Sequence, residues 1–331
     1  MIDTNSTGVR RFFFFLAAGL WILFQGHGAA AFELNFHTAG GYDGNPYQEK
    51  GASGAAFVES GLDLNLQLPT PADSQTTFTL QGFAGYRDYD GLDDTWQLGG
   101  GLTSSTYLSR FSGAIEFFTE VAANRNQLVA DNDFNLLSLG NRLVWFATSR
   151  LTLEWENRID WEEYRSDYDL PGMGSHSGGN SRHSEKNHHP GLSPRHHNWG
   201  DRSDRILATG LKAFFALDPF WDTTAEFFWQ TRHSSIDAEK NRNFGTRLSL
   251  LWHPCQEFEC ELNASAERTP YRYKLKQQSR TEKIYGTGIT LAWRHQGLTL
   301  SAEWQFYNRN SDIDPDDYSR NQWLGRLKYS Y

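Results

Sequence analysis

Leu62-Asp63-Leu64-Asn65-Leu66-Gln67-Leu68 is the stretch that decides the fold. Only an extended strand places every second side chain on one face. This segment therefore gathers four leucines on one side and Asp63, Asn65 and Gln67 on the other. Residues 151–161 repeat the pattern, with Leu151, Leu153, Trp155, Ile159 and Trp161 alternating with Thr152, Glu154, Glu156, Arg158 and Asp160; Asn157 alone breaks the apolar face. Residues 285–293 repeat it again, with Tyr285, Thr287, Ile289, Leu291 and Trp293 alternating with Gly286, Gly288, Thr290 and Ala292.

Segments of this kind recur along the chain at 33–42, 55–68, 75–87, 94–108, 111–124, 134–147, 150–165, 204–217, 222–233, 241–252, 257–268, 281–294, 298–309 and 319–331, about fourteen strands in all. Before them, residues 1–31 have the layout of a signal peptide: Arg10 and Arg11, an apolar run from Phe12 to Phe24, and the small residues Ala29, Ala30 and Ala31. That run is shorter than the roughly 20 residues a helical span needs. Residues 32–331 then form one domain with no apolar stretch long enough for a membrane helix. Aromatic residues make up 15 % of the sequence while mean hydropathy is only −0.62. A strand-built membrane wall reconciles these values, because it shows aromatics to lipid on one face and keeps the other polar. Lipid tolerates strands only when every backbone group is paired, so the expected fold is all-β, a closed antiparallel transmembrane barrel.

The connectors support the same reading. Those at 69–74, 109–110, 148–149, 218–221, 253–256 and 295–297 are short. Those at 42–54, 88–93, 125–133, 166–203, 234–240, 269–280 and 310–318 lie on the other side, and three of them are clearly long. Short inner turns and longer outer loops are what a membrane barrel with both termini inside should show. Tyr86, Tyr107, Trp145, Trp161, Trp252, Trp293, Trp304 and Tyr307, near strand ends, are expected at the two lipid interfaces.

At the chain end, Asn321-Gln322-Trp323-Leu324-Gly325-Arg326-Leu327-Lys328-Tyr329-Ser330-Tyr331 resembles the closing strand of Gram-negative outer-membrane β-barrel proteins, the porin-like superfamily, without pointing to a subfamily. The resemblance covers this last strand. It implies a bacterial outer-membrane location, outer-membrane lipid and lipopolysaccharide as surroundings, and recognition of Trp323, Gly325, Leu327, Tyr329 and Tyr331 by the barrel-assembly machinery, with Tyr331 where the family more often has Phe.

Alternation places Asp63, Glu116, Glu120, Arg142, Glu154, Glu156, Arg158, Asp160, Lys212, Glu226, Arg247, Glu259, Glu261, Glu303, Arg326 and Lys328 on the inward face. Charges of both signs in an enclosed space need water or one another. The first alternative is a hydrated channel for small polar solutes; the second is a salt-bridged filling with no conduction. A third reading is a scaffold or sheath around a periplasmic or lumenal partner, such as a secreted chain, a polysaccharide or an electron-transfer protein. Enzymatic activity finds little support, since the candidate pairs Ser175-His176 and His233-Ser234 lack a third orienting group.

The loop 166–203 carries His176, His183, His188, His189, His196 and His197. The doublets His188-His189 and His196-His197 are candidates for weak metal binding, set against a solvated loop rich in Gly, Ser and Asn, or one that folds into the lumen. No other cofactor is expected, and the absence of Cys-x-x-Cys-His argues against attached haem. Cys255 and Cys260 are either a local disulfide or two unpaired thiols. Arg268, Arg272, Lys274, Lys276, Arg280 and Lys283 make a basic outer connector suited to lipopolysaccharide phosphates or anionic solutes. The net charge of −9 makes nucleic acid an unexpected partner.

Overall fold

The computed structural model describes residues 32–48, 51–71, 74–126, 128–129, 133–164, 202–275, 278–312 and 317–331. Among these residues the period-two segments form fourteen strands: β1 (Phe32–Asp43), β2 (Ala55–Leu68), β3 (Thr76–Tyr89), β4 (Thr95–Leu108), β5 (Gly113–Asn126), β6 (Phe134–Phe146), β7 (Leu151–Tyr164), β8 (Ser203–Asp218), β9 (Trp221–Ser234), β10 (Asn241–Cys255), β11 (Phe258–Leu275), β12 (Gln278–His295), β13 (Leu298–Ser311) and β14 (Tyr318–Ser330). Each pairs antiparallel with the next, and β1 pairs with β14, so the sheet closes on itself. At the seam Gly40 lies opposite Gly325 and Tyr42 opposite Trp323. Beyond the last strand residue, Leu34 and Tyr331 still exchange backbone hydrogen bonds of 3.2 and 3.0 Å.

The side-chain period tells inside from outside. Val58, Phe117, Trp155, Leu211, Phe227, Leu248 and Trp323 are each more than half exposed. Each lies among further exposed apolar residues of the same parity, such as Ile159 and Trp161 on β7. Such a wall is stable only against lipid. The alternate residues, many of them polar or small and with Phe57, Phe118 and Phe228 among them, face the enclosed space.

Two features differ from expectation. The connector 269–280 is largely a two-stranded ribbon: Thr269 pairs with Glu282 and Lys274 with Ser279, with an irregularity between Pro270 and Lys274. Strand pairing overrides the loop-like composition there. Tyr107 and Tyr307 have the inward parity of their strands; Tyr107 pairs with Ala114, and the Tyr307 hydroxyl donates to Gln305 Oε1 at 2.7 Å. Both were expected at the lipid interface, whereas Tyr86, Trp145, Trp161, Trp252 and Trp293 do lie on the outer face. At the inner end, the tight turn at Gln296-Gly297 has φ of 46° and 83°, the paired left-handed geometry that joins two twisted strands in two residues.

Asn157, the polar break in the apolar face of β7, belongs to a hydrogen-bonded row. It stands in register with Asn141 of β6 and Thr209 of β8. Asn157 Nδ2 donates to Asn141 Oδ1 at 3.3 Å, Thr209 Oγ1 donates to Asn157 Oδ1 at 2.9 Å, and Trp155 Nε1 donates to Thr209 Oγ1 at 3.1 Å. These groups satisfy one another on a face where water is absent. Replacing Thr209 by Val strands the Trp155 and Asn157 groups and is expected to lower unfolding stability by about 1–3 kcal/mol. Thr209→Ser, which keeps the hydroxyl, should change it by less than ~1 kcal/mol. Urea unfolding in lipid vesicles followed by tryptophan fluorescence measures both.

Candidate functional site: the charged interior

All sixteen residues expected to line the lumen lie on the face opposite the apolar wall, as their strand parity requires. The structure brings most of them together across strands. Arg142 stands between Glu116 and Glu156, in register with both; its Nη1 donates to Glu116 Oε2 at 3.2 Å and its Nη2 to Glu156 Oε2 at 2.8 Å. Arg247 is set between Glu226, at 3.3 Å, and Glu267, at 3.4 Å. Lys212 lies in register between Glu154 and Glu226, its ammonium 4.5 Å from the Phe214 ring centroid. Arg158 Nε is 3.0 Å from Asp160, which also holds the Ser138 hydroxyl. Glu259 pairs with Arg294 at 2.7 Å. Arg326 reaches Glu59 at 3.5 Å, and Asp63 lies 3.8 Å from His37. Gln305 donates to Glu303. Glu120, Glu154, Glu261 and Lys328 make no hydrogen bond or ion pair among the described residues.

A repeated unit organises these charges. In β5 and β6, Phe118 lies opposite Gly140 and Glu116 opposite Arg142; in β9 and β10, Phe228 lies opposite Gly245 and Glu226 opposite Arg247. The glycine leaves the phenyl ring space to lie flat on the wall, since an added Cβ would come within 2.2 Å of Phe118 at Gly140 and 2.7 Å of Phe228 at Gly245. The arginine two residues on then rests over the ring, 5.9 Å away at Arg142 and 4.5 Å at Arg247. Cation–π contact and a carboxylate together fix each guanidinium against the wall and out of the central space. A third version uses three strands: Phe57 over Gly41, with Arg87 4.3 Å above Phe57 and bound to Glu59 at 2.9 Å through Nε.

The two ends of the interior differ in wetness. At the outer end Asp43 and Asp204 have fully buried side chains, and Glu282 is nearly so. Arg320 grips both oxygens of Asp43, with Nε donating at 2.8 and 3.1 Å, and so bolts β14 to β1 at the seam. Arg202 and Arg232 share Asp204 at 2.7 and 2.8 Å, and Tyr164 links Arg232, at 2.9 Å, to Glu162, at 2.6 Å. Arg280 and Arg309 both hold Glu282. Further in, the side chains of Asp63 (45 % exposed), Arg247 (51 %) and Arg294 (53 %) border open space.

Glu59, Arg87, His37 and the outer clamps other than Arg280 were not among the residues singled out from the sequence. Arg87 was findable, because Gln81, Phe83, Gly85 and Arg87 share one parity of β3. Of the basic connector, Arg280 turns inward to Glu282 and Glu239, while Arg268 and Lys283 lie on the outer face. Cys255 and Cys260 are free thiols, so no bond joins them: Cys260 pairs with Trp252 and Cys255 with Phe258, and the two do not face each other. His188, His189, His196 and His197, with Ser175 and His176, lie outside the described residues, as does the segment 1–31. His233 and Ser234 sit on opposite faces of β9, which separates the imidazole from the hydroxyl.

The glycine–phenylalanine–arginine unit yields a direct expectation. Gly140→Ala forces Phe118 off the wall and should cost about 1–3 kcal/mol of unfolding stability. Gly40→Ala, which meets nothing within 4 Å, should cost no more than ~1 kcal/mol. Urea titration of the two variants side by side checks this.

No family model matches the sequence, and no curated protein does. Among solved structures, the outer membrane channel DcaP of Acinetobacter baumannii aligns with a TM-score of 0.51 and 12 % identity, covering 92 % of this chain and 99 % of that one. OmpT, an outer membrane protein of Vibrio cholerae, aligns with a TM-score of 0.48 and 8 % identity, covering 92 % and 99 %. Identity at this level is a likeness of fold. With a closed fourteen-strand wall, an apolar outer face and a polar interior, the chain has the fold of a transmembrane β-barrel.

Proposed function

We propose that the barrel is a channel for small polar solutes and that it favours cations. The observation behind this reading is the acidic surplus of the interior. Of the sixteen lining residues expected from the sequence, ten are carboxylates and six are cations. The ion pairs leave Glu120 and Glu261 without a hydrogen-bond or ion-pair partner among the described residues, facing the same enclosed space as the well-exposed Asp63 and Arg247. Unpaired carboxylates persist only where water reaches them, and a wet, acidic passage concentrates cations and repels anions. Wall-pinned arginines add to this by keeping their bulk and their charge at the margin. Passage is the function that such a wet, charged interior suits.

Conductance in planar bilayers tests the reading. Under a potassium chloride gradient the reversal potential should carry the sign of cation preference, and the preference should weaken as salt rises toward 1 M, where the Debye length falls to about 3 Å. The double variant Glu120→Gln/Glu261→Gln should move the reversal potential toward zero with the barrel still folded. A folded barrel that never conducts, or one that prefers anions, overturns the proposal.

A further inference from the structure

The outer wall of β8 to β12 carries a band of basic side chains, four of them arginine or lysine, that the interior does not account for. Arg205, His233, Arg242, Arg268 and Lys283 all have the outward parity of their strands and are all exposed. None of them makes a hydrogen bond or ion pair among the described residues. The outward positions of these five strands hold no carboxylate among the described residues.

Register places the five at one height. Arg205 pairs with His233, and Arg268 with Lys283. Between these pairs, Arg242 lies opposite Thr231, two residues inward of His233, and Arg268 lies opposite Phe244, two residues inward of Arg242. Strands in a closed barrel tilt, so a row of paired residues climbs by about one residue per strand. The two inward steps across four strand junctions cancel that climb. The band therefore runs level around this part of the rim, with the Cβ atoms of neighbouring members on adjacent strands roughly 5–8 Å apart. One step inward on the same face are Leu207, Thr231, Phe244, Ala266 and Tyr285, with Trp229 a further step below Thr231, the start of the apolar wall. The rim elsewhere is mixed in sign, with Asp88 of β3 and Glu163 of β7 pointing outward as well as Arg125 of β5.

Unpaired like charges this close repel one another unless an anion lies across them. The anion must sit immediately above hydrocarbon, because apolar side chains begin one step below. We propose that this band is a binding site for the phosphorylated headgroup of an outer-leaflet lipid, whose acyl chains lie along Leu207, Trp229, Phe244 and Tyr285. Arginine favours this role, since its guanidinium meets phosphate with two hydrogen bonds and its stem can lie on the wall below. A free phosphate gains nothing from that wall, so the lipid is the ligand.

The test uses the full-length barrel in neutral detergent, titrated with bis-phosphorylated lipid A or with its dephosphorylated form, and native mass spectrometry reads the bound lipid. The wild type should bind the phosphorylated lipid at least 10-fold more tightly. The variant Arg205→Gln/Arg242→Gln/Arg268→Gln/Lys283→Gln should lose roughly 600-fold in that affinity, whereas Asp88→Asn/Glu163→Gln should lose none. Inorganic phosphate in the millimolar range should not displace the lipid. Heat-modifiable gel mobility reports folding. If the fourfold variant does not fold, Arg268→Gln and Lys283→Gln singly should each weaken binding about 5-fold. Equal binding of both lipid forms by the wild type, affinity unchanged in the basic-band variants, or displacement by inorganic phosphate would each overturn the proposal.

Discussion

Everything in this molecule follows from the backbone ladder between β1 and β14. Unpaired strand edges in lipid leave amide and carbonyl groups with no partner, at a cost of several kcal/mol for each, so a sheet that failed to close could not reside there. Closure also fixes parity: once Gly40 faces Gly325, each residue of all fourteen strands is committed to lipid or to the interior. A slip by one residue would exchange the two faces. The seam is reinforced at both ends. Leu34 and Tyr331 share backbone hydrogen bonds at the inner rim, and Arg320 clamps Asp43 at the outer rim. The aromatic chain end is thus a structural element of the seam in its own right.

Closure creates the interior problem, because a wall of alternating residues fills the enclosed space with polar and charged side chains. The chain resolves it by stacking charges on the wall. A glycine accepts the ring of the phenylalanine opposite, the ring accepts an arginine, and the arginine accepts carboxylates from both neighbouring strands. The unit recurs at Gly140, Phe118 and Arg142 and at Gly245, Phe228 and Arg247. Its effect is to satisfy a guanidinium without projecting it into the passage. The outer end uses the same ion pairs differently: Asp43, Asp204 and Glu282 are buried under their arginines and brace the rim, where loops leave the sheet.

Much of this was legible in the sequence wherever one strand speaks for itself. Leu62 to Leu68 shows its period without help, and the inward charges of β7 follow from counting by twos. Legibility fails where the answer lies on another strand. Glu59 shares the parity of Asp63 and so reads as inward, but that it is bound by Arg87 shows only from the neighbouring strand. Asp43 and Arg320 are 277 residues apart and meet only because the barrel closes. Pro270 and the charges around it read as a loop, yet cross-strand pairing extends β11 and β12 through them. Tyr107 and Tyr307 sit near strand ends as interface aromatics do, but nearness to an end does not determine parity.

The net charge of −9 conceals a division among solvents. Its acidic surplus belongs in part to the interior, where water and paired arginines make carboxylates tolerable, while the outer wall of β8 to β12 holds basic and no acidic side chains at the level where lipid meets water. Composition adds these populations together and reports an acidic protein. Strand parity separates them, because it assigns each side chain to water, to lipid or to their boundary. The same residue type then carries opposite consequences: Arg142 is held by two carboxylates inside the wall, and Arg242, outside it, has none. An arginine with carboxylates on both sides needs no further ligand. One that stands alone at the edge of hydrocarbon is stabilised by an anion brought to it, and the membrane around the barrel is where such an anion would come from.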